Sequence, residues 1–280
     1  MMSVNPLSLQ KLPGCLSWLL ALALLVVGCV ETQTVTPRPV RLHIAGSSSM
    51  MPLLQALVEA FRLQHAGVEF SLEESDSAVG LVRVREGSAD LAAVSWWGGS
   101  GNREELAVIP IGWDGIALIV HRDNPVSRVT SSEARAIFAG RLLDWAELGG
   151  APAEILVVSR EQGSGTRSAF EDQVMGTTRV TLTAVVMSSS QGVVEYVAGH
   201  PNAIGYVSHL YNRSSVKTLF FEGSLPTVTN LHNGRYLLRR PLYLVSQRPL
   251  APQAQALVDF ALSSKGQAVV ARYAAPIVQQ

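Results

Sequence analysis

The amino-acid sequence predicts an α/β fold, and three observations carry this prediction. Segments with strand-like alternation and segments with apolar residues at helical spacing follow one another along most of the chain. Of the 280 residues, 48% are apolar, which is enough for one large or two modest domains with hydrophobic cores. No repeat of fixed period is present, as a solenoid would require. The alternation is typical of a sheet with connecting helices rather than of a sandwich or a bundle.

The first block of predicted elements begins at Arg41. Its strands show period-two alternation or short apolar runs, and its helices place apolar residues three and four positions apart. The elements are, in order, the strand RLHIAG, the helix PLLQALVEAFRLQ, the strand VEFSLEES, the helix VGLVRVREG ended by Gly87, and the strand DLAAVS.

A second block follows the nearly continuous apolar strand in GIALIVHRDNP, which Asn124 and Pro125 close as a turn. The predicted elements are the serine-capped helix SSEARAIFAG, the strand EILVVS, the helix TRSAFEDQVMG ended by glycine, the helix QGVVEYVAG, the strand AIGYVS, the late strand RRPLYLVS, and the helical stretch PQAQALVDFALSSKGQAVVARY with a break near Ser264 to Gly266.

The N-terminal segment resembles a bacterial lipoprotein signal peptide. Lys11 precedes an apolar run from Leu16 to Val27, which is short for a membrane span. Gly28 stands before Cys29, and the sequence then turns polar, so cleavage at Cys29 is favoured over an uncleaved anchor. The resemblance implies a signal peptide over 1–28, a lipid on Cys29 and a Thr- and Pro-rich tether over 29–40. We therefore expect an extracytoplasmic protein anchored by lipid to the cell membrane.

Composition argues against several other functions. Acidic and basic residues number 22 each, so a sequence-independent grip on nucleic acid is not expected. The only cysteines, Cys15 and Cys29, lie in the leader segment, and the six histidines lack HxH or HxxxH spacing. We therefore predict no metal and no cofactor. We also predict no enzymatic activity, since Ser164 lacks the GxSxG context of a nucleophile.

Three loops share one design, in which a strand ends, small hydroxyl or glycine residues follow, and a helix begins. They are GSSSMMP (46–52), SDSAVG (75–80) and QGSGTR (162–167), and SSSQG (188–192) is a fourth candidate. Unpaired N–H groups and partial positive charge at a helix start favour anions. A single loop of this kind is more often only a helix cap. Several in one chain predict a convergent anion site.

From about Arg41 to the C-terminus the chain resembles the phosphate-binding proteins of bacterial phosphate ABC transporters, in the two-lobed periplasmic binding protein class. The motifs that carry the resemblance are IAGSSS-x-x-P (44–52), S-x-x-G-L (77–81), IFAG with Trp145 nearby, R-x-x-GSGTR-x-x-F-E (160–171) and PNAIGYVS (201–208). The resemblance implies two α/β lobes joined by hinge strands near GIALIV and PLYLVS. Lobe one would comprise 41–118 plus 242–280, and lobe two 119–241.

The resemblance also implies a ligand and a partner. Inorganic phosphate or a similar tetrahedral oxyanion would lie between the lobes and pass to an ABC permease. The implied ligand-binding residues are Ser47, Ser48, Ser49, Ser77, Ser95, Arg160, Ser164, Gly165 and Thr166. Hydroxyl and N–H groups would donate to the anion's oxygens, and Arg160 would add charge-assisted bonds. For Arg160, a surface ion pair with Glu161 or Glu171 is the alternative role.

The chain departs from the family at the position that distinguishes phosphate from sulfate. Many phosphate binders have a carboxylate after the third strand, which accepts the proton of monohydrogen phosphate. The matching stretch AVSWWGGSG places Ser95 or Trp96 there, and Gln162 replaces an acidic residue near Arg160. A serine accepts a proton but does not repel a dianion. The remaining acceptor candidates are Glu74, Asp76 and Asp114.

Two other functions remain open from the sequence. A non-transporting oxyanion sensor would keep the fold and the anchor but pass ligand occupancy to a membrane partner. A phosphoester hydrolase would use Ser164 as a nucleophile, for which a nearby base is required.

Overall fold

The computed structural model describes residues 40–98, 104–211 and 214–277. The strands are β1 (Val40–Ser47), β2 (Val68–Ser75), β3 (Leu91–Val94), β4 (Leu106–His121), β5 (Arg128–Val129), β6 (Leu156–Arg160), β7 (Val185–Met187), β8 (Ala203–Ser208), β9 (Val216–Thr218), β10 (Phe220–Phe221) and β11 (Arg239–Gln247). The α-helices are α1 (Met51–Arg62), α2 (Ser77–Arg85), α3 (Ser131–Phe138), α4 (Gly165–Phe170), α5 (Ser190–Gly199), α6 (Val228–His232), α7 (Pro252–Leu262) and α8 (Ser264–Val270).

One long strand joins two halves of a mixed sheet whose order is β2-β1-β3-β11-β4-β8-β6-β7, with β9 also pairing with β4. The first part of β4, up to Gly115, pairs antiparallel with β11. From Ile116 onward β4 pairs antiparallel with β8 instead. Strands β1, β2 and β3 pair in parallel on one side, and β6, β7 and β8 do so on the other. The predicted α/β class and two-lobed fold are confirmed.

The helices are held to the sheet by apolar faces that the sequence spacing predicts. In α1, Leu53, Leu54, Leu57 and Phe61 are buried, because residues three and four apart share one face of a helix. In the other half, Phe170 stacks on Tyr206 with ring centroids 4.2 Å apart. The burial of each such side chain contributes about 1.5–3 kcal/mol relative to exposure. This packing fixes the strand ends from which the polar loops extend.

Two predicted helix boundaries differ from the structure. Helix α3 is capped by Thr130 rather than by a serine: Thr130 Oγ1 accepts from the backbone N–H of Glu133 at 3.2 Å. Glu133 Oε2 in turn accepts from the backbone N–H of Thr130 at 2.7 Å, a reciprocal cap that requires three-residue spacing. The helix predicted for TRSAFEDQVMG is α4 followed by a π-helical turn, Glu171–Met175, before Gly176.

The predicted signal peptide, the lipidation residue Cys29 and nearly all of the tether lie outside the described residues. Within the part of the chain that the structure describes, no helix combines the length and the hydropathy of a membrane span.

Candidate functional site

The polar loops that the sequence singles out meet at one place. Ser47 Oγ donates to Ser95 Oγ at 2.9 Å, and Ser47 Oγ lies 2.8 Å from Ser49 Oγ. Ser77 Oγ accepts from the backbone N–H of Ser95 at 3.2 Å. These serines come from the ends of β1 and β3 and the start of α2. All four side chains are buried, so their hydroxyl groups are shielded from water and directed at one another.

The GSGTR loop packs directly against these serines. A Cβ atom added to Gly165 would lie 2.4 Å from Ser77 Oγ and 2.6 Å from Ser95 Oγ. Such distances are far below van der Waals contact, so only glycine fits at this position. The backbone N–H of Ala78 also donates to the carbonyl of Gly163 at 3.3 Å. The first, second and third predicted loops therefore form one site.

The fourth loop joins the site through Ser190 at the start of α5. The backbone N–H of Ser190 donates to Ser48 Oγ at 3.2 Å, and the two hydroxyl oxygens are 3.3 Å apart. Tyr211 donates its hydroxyl proton to the carbonyl of Ser48 at 2.7 Å. Ser48 is thus held from two sides by residues far from it in sequence. This loop is the fourth candidate in the sequence, but Ser190 itself is not among the predicted ligand-binding residues.

Arg160 is buried at the end of β6 and donates to several groups. Its Nη1 donates to Ser190 Oγ at 3.1 Å, and its Nε donates to the carbonyl of Met187 at 3.1 Å. Its Nε and Nη2 also form a two-pronged ion pair with Glu161, at 2.8 and 2.7 Å. The side chain is only 2% exposed, so the expected alternative is correct about the partner Glu161 but wrong about the surface. Glu171 pairs instead with Arg167, at 2.8 Å.

Two further members of the predicted set differ in their bonding. Ser164 Oγ accepts from the backbone N–H of Arg167 at 3.3 Å and so caps α4. Thr166 is fully buried, and its Oγ1 has no hydrogen-bond partner among the described residues. A buried hydroxyl without a partner costs about 1–3 kcal/mol, which a protein tolerates where the group serves a ligand. Thr166 therefore stays the clearest candidate for a ligand contact in this loop.

Arg240 is not among the predicted site residues, yet it is fully buried beside the serines. Its Nη1 donates to Ser95 Oγ at 3.3 Å and its Nη2 to Ser49 Oγ at 3.2 Å. Its Nε and Nη2 donate to Asp114 Oδ2 at 2.9 and 2.7 Å. Arg240 and Asp114 are opposite each other on β11 and β4. The sequence signal for Arg240 is a charged residue within the predicted strand RRPLYLVS. An arginine in a strand that is to be buried indicates a partner or a ligand, since arginine is seldom buried without one.

Burial and charge act in opposite directions on this pair. Burial alone would raise the pKa of Asp114, but the charge of Arg240 and the hydrogen bond from His209 hold that pKa below its usual value. Burial lowers the pKa of Arg240, Asp114 counteracts this, and nearby Arg160 lowers it further.

The three candidate acceptors differ in their surroundings. Asp114 is committed to its ion pair. Asp76 Oδ1 accepts from the backbone N–H of Val79 at 2.7 Å and caps α2. Glu74 is exposed at the end of β2. The site thus consists of hydroxyl groups, helix N-termini and two guanidinium groups, an arrangement that suits a tetrahedral oxyanion.

Comparisons with known proteins agree with this arrangement. Residues 32–265 match the family model described as a PBP superfamily domain. The phosphate-binding protein PstS of Bacillus subtilis is 29% identical over 208 residues, which are 70% of this chain and 66% of that protein. The matched region therefore spans just under two thirds of the Bacillus protein's length.

Two solved structures are also similar. A candidate phosphate ABC transporter substrate-binding protein from Clostridium perfringens, solved with bound phosphate, is 34% identical with a TM-score of 0.81. That match covers 85% of this chain and 100% of the other. An ABC-type phosphate transport receptor from Vibrio cholerae is 28% identical with a TM-score of 0.68, covering 83% and 98% of the two chains. The chain belongs to the PBP superfamily and, within it, to the PstS-like phosphate-binding proteins.

Proposed function

We propose that this protein captures inorganic phosphate, or a similar tetrahedral oxyanion, outside the cytoplasm and delivers it to an ABC permease. The observation that carries the proposal is the convergence of Ser47, Ser49, Ser77 and Ser95 on Gly165 of the GSGTR loop. The names of the Bacillus, Clostridium and Vibrio relatives support phosphate as the ligand and an ABC transporter as the setting.

The proposed ligand contacts follow from the chemistry of each group. Hydroxyl groups of the serine cluster donate to anion oxygens, as do the hydroxyl and backbone N–H groups at the start of α4. Glu161 occupies Nε and Nη2 of Arg160, so Nη1, which donates to Ser190 Oγ, is the guanidinium nitrogen that we propose faces the anion. The proposed set is Ser47, Ser48, Ser49, Ser77, Ser95, Arg160, Ser164, Gly165 and Thr166.

The proposed lobes are 41–118 plus 242–280 and 119–241. Loops from both segments bond to each other directly, as Ser48 and Ser190 do. Ligand contacts distributed over both lobes would favour the closed form, since only that form makes all of them. We further propose a lipid anchor on Cys29, for which mass spectrometry of the purified protein is the test.

We infer that the protein is a binder rather than a hydrolase. A nucleophilic serine needs a base that removes its proton, and Ser164 Oγ instead caps α4. Its oxygen therefore has a structural role that needs no catalysis. The relatives named above are binding proteins of transport systems, which supports the same conclusion.

Calorimetric titration of the purified protein with phosphate tests the proposal. We expect saturable binding of one phosphate per chain, and Arg160→Lys should weaken it by at least about tenfold, because a lysine replaces the planar fork with a single point charge. The matched control is Arg141→Lys, which alters an exposed arginine. Absence of binding to phosphate, sulfate, molybdate and tungstate would contradict the proposal.

A further inference from the structure

Arg240 brings a second buried guanidinium to the serine cluster, and its bonds fix the direction of the hydrogen bonds there. A guanidinium has N–H donors and no acceptor, so Ser49 Oγ and Ser95 Oγ must both accept from it. Both contacts are between fully buried side chains. Water therefore does not compete for these hydroxyl groups.

The remaining protons of the cluster follow from that constraint. Ser47 donates its proton to Ser95 Oγ at 2.9 Å. Because that proton is used, the 2.8 Å contact between Ser47 and Ser49 requires Ser49 to donate to Ser47. A chain of donors thus runs from Arg240 through Ser49 and Ser47 to Ser95, and such chains strengthen their own bonds.

Ser95 is left as a donor only. Its oxygen accepts from Arg240 Nη1 and from Ser47 Oγ, which uses both lone pairs of a hydroxyl oxygen. Its own proton faces Ser77 Oγ at 3.4 Å, a long contact that an anion oxygen would readily replace. At the position where a carboxylate would accept the proton of monohydrogen phosphate, this protein therefore presents a proton of its own.

Asp114 does not restore the missing acceptor. Its Oδ2 accepts two bonds from Arg240, and its Oδ1 accepts from Ser208 Oγ at 2.9 Å and from His209 Nδ1 at 2.6 Å. Two bonds on each oxygen exhaust the acceptor capacity of a carboxylate. Asp114 therefore orients Arg240, and through Arg240 the serines, without facing the ligand as a base.

We propose that Arg240 is a specificity-determining residue of the anion site: held by Asp114, it makes Ser95 a donor, so that the site binds sulfate and phosphate with comparable affinity. This inference rests on the proposed function. An anion oxygen without a proton fits the donor-only face, whereas a protonated oxygen of phosphate has to turn elsewhere. Selection between the two anions is thereby weakened at this face.

Calorimetric titrations of phosphate and of sulfate test the inference on four proteins. They are the unaltered protein, the double variant Asp114→Asn with Arg240→Gln, the single variant Arg240→Lys, and the control Arg239→Gln. The double variant replaces both charged groups of the pair by neutral polar ones, so no lone charge is buried. Arg240→Lys keeps the charge if the double variant does not fold. Arg239 lies next in sequence and is exposed, so its change removes the same charge outside the site.

We expect the unaltered protein and the control to bind sulfate within about tenfold of phosphate. The double variant should lose sulfate affinity by at least about tenfold more than phosphate affinity, since Ser95 regains a lone pair that can accept a proton. Arg240→Lys should shift the ratio in the same direction by less, because its ammonium is still a donor but lacks the fork that bonds Asp114, Ser49 and Ser95 together. Phosphate bound at least about a hundredfold more tightly than sulfate by the unaltered protein would overturn the inference. So would variants whose phosphate-to-sulfate ratio is unchanged. Failure of every oxyanion to bind would instead overturn the proposed function itself.

Discussion

At the residue scale, the strongest sign of a ligand is the buried hydroxyl of Thr166, which lacks a partner within the described residues. Its neighbours in the loop have protein partners or make close backbone contacts, as Ser164 and Gly165 do. A hydroxyl that stabilises nothing in the free protein contributes only when an anion accepts its proton. Removing this hydroxyl should therefore lower the affinity for the anion without lowering the stability of the free protein.

Thr166→Val is expected to weaken phosphate binding by about tenfold while leaving the free protein at least as stable as before. The physical reason is that valine has nearly the shape of threonine and removes an unsatisfied buried polar group. Calorimetric titration measures the affinity, and urea unfolding measures the stability. Thr177→Val, at an exposed threonine, is the control. Unchanged affinity in Thr166→Val would show that its hydroxyl does not contact the anion.

The sequence predicts residues whose role depends on their local neighbours, and it misses those whose role depends on a distant partner. The GSGTR loop is recognisable because strand, small residues and helix start are contiguous in the chain. Arg240 acquires its role only by lying opposite Asp114, a residue 126 positions away. Ser190 likewise joins the site only because its backbone N–H donates to Ser48 Oγ, which is distant in sequence. The hydrophobic periodicity of the sequence does not predict such contacts between distant residues, because the register between strands is set only in the folded sheet.

At the element scale, β4 and β11 do more than connect the two halves of the sheet. They pair up to Gly115, and β4 then continues with β8. The ion pair between Asp114 and Arg240 lies at this change of partner. The apolar pattern predicted the existence of both strands but placed the first at GIALIV only, whereas β4 begins at Leu106. The half of β4 before Asp114 is apolar as well but less uniformly buried, and Pro110 within it is exposed.

Asp114→Asn should destabilise the protein by about 3 kcal/mol at neutral pH, because it leaves the charge of Arg240 buried without its partner. The pKa of Asp114 is held below its usual value in the folded protein. Its contribution is therefore fully present above the unfolded carboxyl pKa of about 3.9 and is lost as the pH falls through the lower folded pKa. The difference between variant and unaltered protein should shrink over that acidic range.

Urea unfolding at a series of pH values measures this difference. Asp172→Asn, at an exposed aspartate in the first turn of the π-helical segment, is the control and should change stability by less than about 0.5 kcal/mol. A constant difference between Asp114→Asn and the unaltered protein down to strongly acidic pH would mean that Asp114 does not titrate as the ion pair requires.

At the scale of the whole molecule, loops of the two proposed lobes contact each other directly, as we expect of a closed form. Gly165 lies in the segment proposed as lobe two, and the two hydroxyl groups nearest to its missing side chain, those of Ser77 and Ser95, lie in the segment proposed as lobe one. We therefore expect closure of the proposed lobes to depend on the absence of a methyl group at Gly165. Gly165→Ala would place Cβ 2.4 Å from Ser77 Oγ, and the neighbouring atoms are themselves buried and hydrogen-bonded.

We expect Gly165→Ala to fold normally in an open form and to lose phosphate affinity by at least about a hundredfold, because the clash arises only when the lobes meet. Small-angle X-ray scattering should show a radius of gyration that decreases with phosphate in the unaltered protein and stays constant in the variant. Gly199→Ala is the matched control, since an added Cβ there meets no atom within 4 Å. In the variant, the added methyl group keeps the loop of Gly165 from approaching Ser77 and Ser95 as closely as in the structure. A Gly165→Ala protein that still contracts on phosphate addition would therefore show that the lobes close at another surface.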